Sequence, residues 1–359
     1  MENSLKTETL KTDDAKTTRR FIMRKNKQTH KVEKQKRLTK RFTLDFSKVR
    51  NFCLIVLTVI ALVMIVIRPE IYIQSTKNGL IVFTASVLPA LFPFFFFSTI
   101  LTKLGAPLAV AKIFGKPFGK FFNTSGLSAY VFFMSLICGY PVGAKLVSEL
   151  YDSSLVDSAE SKRIASFCST SGPLFILGTL GVTVFNDKTL ALVVLICHYL
   201  SAFLNGFIYR GKRPASENVL NLPLDCDDIL SKTISGSTLS MLNLCGYIVV
   251  FNLIIDLVLN SGILSCLPNT DFGLTAKALI CGCIEMTRGC MMLSKITIPK
   301  FLKCGLVTFL VSISGMGILC QSMSFLSKCR IKAKTVVLQK FTQSLIALLL
   351  GTIAGLLLK

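Results

Sequence analysis

The residues of this chain that could do chemistry are polar and charged side chains inside long apolar runs. The first group is Gly139, Tyr140, Pro141, Gly143 and Lys145. Proline removes a backbone donor and glycine admits non-helical angles, so a helix is predicted to break there. A half-helix N-terminus at the break would suit an anionic group, and Lys145 would add positive charge. The alternative is a simple kink or the end of a loop.

A second group is rich in hydroxyls and ends at a helix start. Its candidate residues are Ser169, Ser171, Gly172 and Pro173, with Thr170 between them. Proline is favoured at the first position of a helix, so a new helix is predicted to begin there. The hydroxyls could bind a ligand, or they could cap that helix and join it to a neighbour.

The third group carries opposite charges within an apolar segment. Glu285 and Arg288 are three residues apart and share a helix face, with Thr287 between them. Charges at membrane depth are costly and normally face a cavity or one another. One interpretation is a structural ion pair. The functional interpretations are that Arg288 receives an anionic substrate or that Glu285 couples a proton.

The remaining candidates lie singly or in a small Ser/Gly cluster. Ser312, Ser314 and Gly315 form that cluster, and Gln321 follows it by one or two turns. Gln321 could hydrogen-bond a ligand or a neighbouring helix. His198 could relay protons, or it could be a packed, hydrogen-bonded histidine.

The composition indicates that lipid surrounds these residues. The chain is 52% hydrophobic and 17% charged, with a mean hydropathy of +0.61, whereas soluble domains carry about 25% charged residues. No phosphate-binding loop, G-x-S-x-G or H-E-x-x-H motif occurs. The thirteen cysteines include no C-x-x-C pair. We therefore expect a membrane protein that is not an enzyme and uses no cofactor, metal or catalytic residue.

Nine segments are candidates to enter the membrane, because a span needs about 20 apolar residues. They are Phe52–Ile67, Leu80–Leu101, Leu127–Val147, Ile164–Phe185, Leu190–Tyr209, Leu239–Leu259, Ala276–Leu293, Phe301–Leu326 and Val336–Leu358. The first is short for a span. The second is interrupted by Pro89 and Pro93.

The order of plain and interrupted segments predicts a repeat. Residues 80–209 and 239–358 each contain four segments, with the Ser/Gly cores ending at Gly172 and Gly315 in matching places. Such repeats with broken helices are typical of transporter cores. The fold is therefore predicted to be all-α and polytopic, with two inverted repeats containing broken or re-entrant helices.

Basic residues predict the topology. The loops 102–125, 210–238 and 327–335 are rich in Lys and Arg and are expected on the cytoplasmic side. About seven crossings and two re-entrant pieces would place all three there. The re-entrant pieces would lie between 126 and 209 and between 276 and 326.

The N-terminal arm, residues 1–51, precedes a membrane domain of residues 52–359. It holds sixteen Lys/Arg against six Asp/Glu and few apolar residues, so we expect it to be cytoplasmic and mostly disordered. It could fix topology, lie on anionic lipid or bind nucleic acid. Because aromatic residues do not interleave its charges, no nucleic-acid partner is expected.

The stretch from Cys138 to Ser201 resembles the YlbJ-type sporulation integral membrane proteins. It reads CGYPVGAKLVSELY, then AESKRIASFCSTSGPLFILGTLGVTVF, then HYLSA; Glu285–Gly289 and Ser312–Gly315 with Gln321 resemble the second-half motifs. The family is similar to nucleoside-recognition, or gate, domains. The resemblance covers roughly residues 52–358 and implies two inverted repeats.

The resemblance also implies a function and a site. The function is transport of dipicolinic acid, a small aromatic dianion, from the mother cell toward the forespore. The protein would lie in the plasma membrane or the outer forespore membrane, in contact with lipid and sporulation membrane partners. Turns 139–143 and 169–173 would form half of the site, and 285–288 with 312–315 the other half. A nucleoside-type carrier and a non-transporting scaffold are the alternatives; the oligomeric state is left open.

Overall fold

The computed structural model describes residues 46–211 and 228–358, which form helices and no strand. Most of the basic arm and most of the charged residues in the loop 210–238 lie outside these ranges. The described chain divides into two units, one ending at Ile67 and one beginning at Arg68.

The helices are numbered here in chain order. They are α1 Phe46–Ile67, α2 Pro69–Val82, α3 Leu88–Lys103, α4 Ala106–Phe122, α5 Leu127–Cys138, α6 Val142–Asp152, α7 Ser158–Ala165, α8 Lys188–Ile208, α9 Ile229–Asn260, α10 Asp271–Ile284, α11 Met286–Ser294, α12 Lys300–Ile313, α13 Gly315–Leu326 and α14 Ala333–Leu356. Phe83–Val87 and Leu174–Val184 are π-helical, and Ile263–Cys266 is a 3₁₀ turn.

The described helices make this a multi-pass integral membrane protein. Six of them are long and apolar enough to span: α1, the run Pro69–Lys103, α8, α9, the run Lys300–Leu326 and α14. A seventh is reached if α4 and α5, which meet at 95°, count as one broken span. The predicted all-α, polytopic fold is confirmed, whereas the inverted relation of the repeats and the cytoplasmic side remain predictions.

The breaks predicted at Gly139–Gly143 and before Pro173 are confirmed, and the structure shows two more in the second half, where only a re-entrant piece between 276 and 326 was predicted. These four breaks separate α5 from α6, α7 from the second π-helix, α10 from α11, and α12 from α13. Each break coincides with a Gly/Pro, Ser/Gly or charged motif, because those residues favour conformations or hydrogen bonds that end a helix. The sequence motifs therefore mark real interruptions of helical backbone.

The predicted interruption at Pro89 and Pro93 is wrong. The helix runs without a gap from Pro69 to Lys103. The π-turn Phe83–Val87 shifts the hydrogen bonding so that Pro89 falls in the first turn of α3, where a missing N–H costs little. Pro93 is accommodated inside α3.

Two further expectations about segment bounds are corrected. The loop 102–125 contains the helix α4, whose lysines lie on an exposed face while Gly115, Phe118 and Phe122 are buried. The close approach of Gly115 to Gly126 packs α4 against α5. The first segment is not short, because α1 begins at Phe46 and has 22 residues.

The second half of the chain is built on a tight helix pair. Gly305, Gly351 and Gly355 lie where α12 and α14 touch, and a Cβ at Gly351 would come 2.6 Å from the Thr308 hydroxyl. Small residues let membrane helices approach closely in this way. α8 packs against both helices. These three helices form the wall against which the broken segments lie.

Candidate functional site

The two breaks of the first half touch each other at glycine. Gly139 has a φ of +77°, and a Cβ there would collide with the backbone nitrogen of Gly172. Gly143 lies as tightly against the Cys168 carbonyl. Only glycine fits such backbone contacts. The predicted turns 139–143 and 169–173 are therefore brought together; we call this contact the first crossing.

The two breaks of the second half also meet. Gly315 has a φ of +73°, and a Cβ there would lie 3.1 Å from both the Gly282 oxygen and the Met286 nitrogen. Ser314 has a φ of +66°. We call this contact the second crossing. It unites the Ser312–Gly315 turn with the break at Glu285.

Lys340 of α14 reaches the first crossing from outside it. Its ammonium donates to the Tyr140 hydroxyl at 2.9 Å, the Ser169 carbonyl at 2.9 Å and the Gln343 Oε1 at 3.1 Å. It also lies 4.6 Å from the centre of the Tyr140 ring. Three acceptors match the three N–H donors of a charged ammonium. Lys340 therefore holds both breaks of the crossing at once.

Lys340 has no carboxylate partner among the described residues. The side chain is buried, with 3% of its surface exposed, and no Asp or Glu of residues 46–211 and 228–358 forms an ion pair with it. Its acceptors are neutral. Gln343, also buried, leaves its Nε2 donor without a hydrogen-bond partner. An unmatched cation beside a free amide donor is suited to a carboxylate.

His198 of α8 joins the two halves. Its Nε2 accepts the Ser171 backbone N–H at 2.9 Å, and its Nδ1 lies 2.7 Å from the Ser312 hydroxyl. Because Nε2 accepts, the neutral ring carries its proton on Nδ1 and donates to Ser312. The imidazole is fully buried. The structure shows the packed, hydrogen-bonded histidine of the two interpretations, and the proton relay stays a prediction.

Tyr140 completes the network. Its hydroxyl accepts from Lys340 and donates to the Val311 carbonyl at 3.2 Å. The Ser314 hydroxyl neighbours that phenol, and the ring centres of Tyr140 and His198 are 6.4 Å apart. The network thus contains predicted site residues from both halves. We call it the Lys340 centre: Tyr140, Ser169, Ser171, His198, Ser312, Ser314, Lys340 and Gln343.

Comparison with known proteins finds a sporulation membrane protein similar to this chain. Over 338 residues, the chain is 25% identical to the sporulation integral membrane protein YlbJ of Bacillus subtilis (strain 168), which covers 85% of this chain and 82% of that protein. The chain is therefore similar to this sporulation membrane protein over most of its length. The resemblance expected from the sequence is confirmed. No family model matches the chain, and no solved structure matches it.

Arg288 is paired outside its own helix. Its guanidinium lies 2.6 Å from the Asp256 carboxylate on α9. Glu285 instead caps α11, accepting from the backbone N–H groups of Thr287 at 3.0 Å and Arg288 at 2.7 Å. The interpretation of an ion pair between the Glu285 and Arg288 side chains is wrong, because Arg288 pairs with Asp256 and Glu285 lies in extended backbone just before α11 rather than on a shared helix face. The Arg288 charge is already matched.

Lys145 is likewise matched. It forms an ion pair with Glu149 at 2.7 Å one turn along α6, donates to the Thr99 hydroxyl and lies 5.3 Å from the centre of the Phe95 ring. Its contacts are with α3 and its own helix. The positive charge expected beside the first break is supplied by Lys340 instead.

The remaining predicted residues frame the breaks. Pro141 is the last residue before α6, and Pro173 directly precedes the second π-helix. Gln321 is buried on α13, a helix that packs against α6, α9 and α10. No contact places Gln321 in the Lys340 centre. Its ligand-binding role stays a prediction.

Lys340 and Gln343 were missed by sequence reasoning. Lys340 lies inside the predicted segment Val336–Leu358, just after the basic stretch 327–335, but it was not singled out as a site residue. The available signal was a lysine followed three residues later by glutamine, on one helix face, with no acid nearby. Within the described ranges, no group of three His, Cys, Asp or Glu side chains could hold a metal ion.

Proposed function

We propose that this protein carries a small organic anion, dipicolinate, across a membrane during spore formation. The observation that carries the proposal is the buried Lys340 ammonium, which has neutral hydrogen-bond acceptors and no described carboxylate partner. A buried cation normally has a counter-ion, because desolvation of an unmatched charge is costly. A bound substrate carboxylate would supply that counter-ion.

Dipicolinate fits the chemistry of the Lys340 centre. One carboxylate can replace the neutral acceptors of Lys340, the Ser169 carbonyl and Gln343 Oε1, and take a further hydrogen bond from the unpartnered Gln343 Nε2. The name of the Bacillus subtilis relative supports a membrane role in sporulation. Direction toward the forespore and residence in the outer forespore membrane are part of the proposal, as is action without a catalytic step.

Broken helices support transport over a scaffolding role. Non-helical backbone at membrane depth is tolerated where it is buried in protein or lines a cavity, and two pairs of breaks converge here. A scaffold has no need for an unmatched cation between them. A nucleoside-type carrier would use the hydroxyl and amide groups but would gain nothing from the Lys340 charge.

Complementation in the sporulating host tests the function. A strain lacking the gene is given wild-type protein, Lys340→Met or Lys334→Met, and dipicolinate is measured separately in spores and mother cells. Lys334 is an exposed lysine on the same helix and serves as the matched control. We expect Lys340→Met, with protein present, to leave spores depleted and mother cells enriched in dipicolinate. Normal spore content in that strain would refute the proposal.

Reconstitution separates the alternatives. The full-length protein in liposomes should take up labelled dipicolinate, and unlabelled dipicolinate should compete whereas uridine should not. Competition by uridine alone would favour the nucleoside carrier. Absence of any uptake, together with normal spores in the Lys340→Met strain, would favour the scaffold.

A further inference from the structure

The hydrogen bonds of His198 couple its protonation to the first crossing. Nε2 accepts from the Ser171 N–H, and a protonated Nε2 cannot accept. Proton uptake would therefore break the link to Ser171 while leaving the Nδ1 bond to Ser312 intact. Lys340 holds the same turn two residues earlier, through the Ser169 carbonyl. Two independent contacts thus fix one turn.

Lys340 and His198 both lie against the Tyr140 ring, which places the Lys340 amine near the imidazole. Of the helices packed against α8, α14 contributes Lys340, and the break between α5 and α6 contributes Tyr140; α8 itself adds Tyr199, whose ring is 5.8 Å away. Both phenols donate to backbone carbonyls. Ser171 and Ser312 are neutral. Among the residues the structure describes, no carboxylate pairs with any of these groups.

We propose that His198 binds a proton that travels with the anion, and that the two ligands bind cooperatively through the Lys340 charge. This rests on the proposed function of the Lys340 centre. In the empty centre, an imidazolium would face an unmatched ammonium and be repelled by it. A bound carboxylate offsets that ammonium, so the second positive charge becomes acceptable.

Binding of the anion and the proton together releases the turn of residues 169–173. The anion draws Lys340 away from its neutral acceptors, and the proton removes the Nε2 acceptor from Ser171. Both ties to residues 169–171 are then lost together, which frees one side of the first crossing to move. Either ligand alone leaves one tie in place. Proton-driven entry of the anion follows from this arrangement, since each ligand favours the other.

Nitrogen-15 histidine NMR of the full-length protein in nanodiscs tests the coupling. The chain has two histidines, His30 and His198, and His30→Gln leaves one signal. Without anion near neutral pH, we expect the neutral Nδ1–H tautomer. Adding dipicolinate at constant pH should convert the ring toward imidazolium. In Lys340→Met, which loses the anion site, dipicolinate should change nothing.

Binding of labelled dipicolinate to the same samples gives the reciprocal measurement. Wild-type affinity should rise at least about fivefold between pH 8 and pH 6, and His198→Asn, whose amide can still bond Ser171 and Ser312, should lose that dependence. Binding with an imidazole that stays neutral overturns the coupling and leaves transport standing. An Nε2–H tautomer in the empty protein also overturns it. Absence of binding overturns the proposed function and the coupling with it.

Discussion

The two crossings are built alike and stabilised differently. In each, two interruptions of helical backbone meet at a glycine with positive φ, Gly139 in the first and Gly315 in the second. The second crossing contains its own carboxylate, because Glu285 caps α11 with both oxygens. The first is held by side chains from other helices, Lys340 and His198.

The cationic side chains beside the two crossings also differ in whether they have a carboxylate partner. Arg288 is partly exposed and paired with Asp256. Lys340 is buried and paired with no described carboxylate. A matched cation stabilises a structure, whereas an unmatched one leaves a place for a ligand. Under the proposed function, the second crossing is fixed structure and the first binds the substrate, and the following expectations test that division.

The largest effect on stability should come from the glycines at the crossings. Gly139→Ala adds a Cβ onto the Gly172 backbone, which cannot retreat, so we expect a loss of about 3 kcal/mol or more. Gly315→Ala should cost only about 1–2 kcal/mol, because its nearest atoms are 3.1 Å away. Denaturant unfolding in detergent measures both, with Gly246→Ala as control, since a Cβ there meets nothing within 4 Å. Equal losses at the two crossings would contradict the packing described.

The ion pair at the second crossing should show energetic coupling. Arg288→Met leaves Asp256 unpaired and should cost about 1–2 kcal/mol, and adding Asp256→Asn should recover part of it. A double-mutant cycle on unfolding free energies provides the coupling energy. Lys340→Met combined with Asp256→Asn serves as the comparison and should be additive. A coupling energy near zero for Arg288 and Asp256 would remove the contrast between the two cations.

Removing the Glu285 cap of α11 should lower the unfolding free energy less than breaking the ion pair. Glu285→Ala removes the acceptor for the Thr287 and Arg288 N–H groups and should cost about 1 kcal/mol. Glu285→Gln keeps one oxygen acceptor and should cost less. Thermal unfolding of both variants distinguishes capping from proton coupling: if Glu285 carried a proton in transport, Glu285→Gln would stop uptake while hardly changing stability.

The smallest effect is a pH dependence at Asp187, just before α8. The N–H of Leu190, with help from Lys300 at 3.2 Å, holds the pKa of this carboxyl below its usual value. A lowered folded pKa stabilises the protein above the unfolded value of about 3.9 and ceases to do so as the pH falls through the folded pKa. Asp187→Asn should therefore lower the unfolding temperature slightly at pH 7, and the gap should close in acid. A gap that widens in acid would contradict this sign.

The sequence predicted the helix breaks at Gly139–Gly143 and Ser169–Pro173, but not the contacts that hold the breaks in place. Gly139, Ser169–Pro173, Glu285 and Ser314 carry local signals, because glycine, proline and hydroxyl side chains bias the backbone over a few residues. The prediction of an interruption at Pro89 was wrong because the preceding π-turn accommodates the missing backbone N–H of this proline. The prediction of a loop at residues 102–125 was wrong because the lysines of α4 lie on the opposite side of the helix from an apolar face.

Contacts between distant residues could not be predicted in this way. Lys340 is 200 positions from Tyr140, and His198 is 114 from Ser312. Nothing local distinguishes Lys340 from the basic residues just before it, and pairing Arg288 with Asp256 rather than Glu285 depends on how α9 packs. Tertiary packing therefore determines that Arg288 has a carboxylate partner. It also brings Lys340, which has none among the described residues, to the first crossing.

Direct binding of labelled dipicolinate to the purified full-length protein tests the central claim. Wild type, Lys340→Met, Arg288→Met and the control Lys334→Met are compared at one pH, with folding of each checked by its unfolding transition. The unmatched Lys340 charge predicts that Lys340→Met loses binding at least about tenfold, which corresponds to roughly 1.4 kcal/mol, while Lys334→Met is unchanged and Arg288→Met is affected less. Full affinity in a folded Lys340→Met protein would contradict the assignment of substrate to the first crossing.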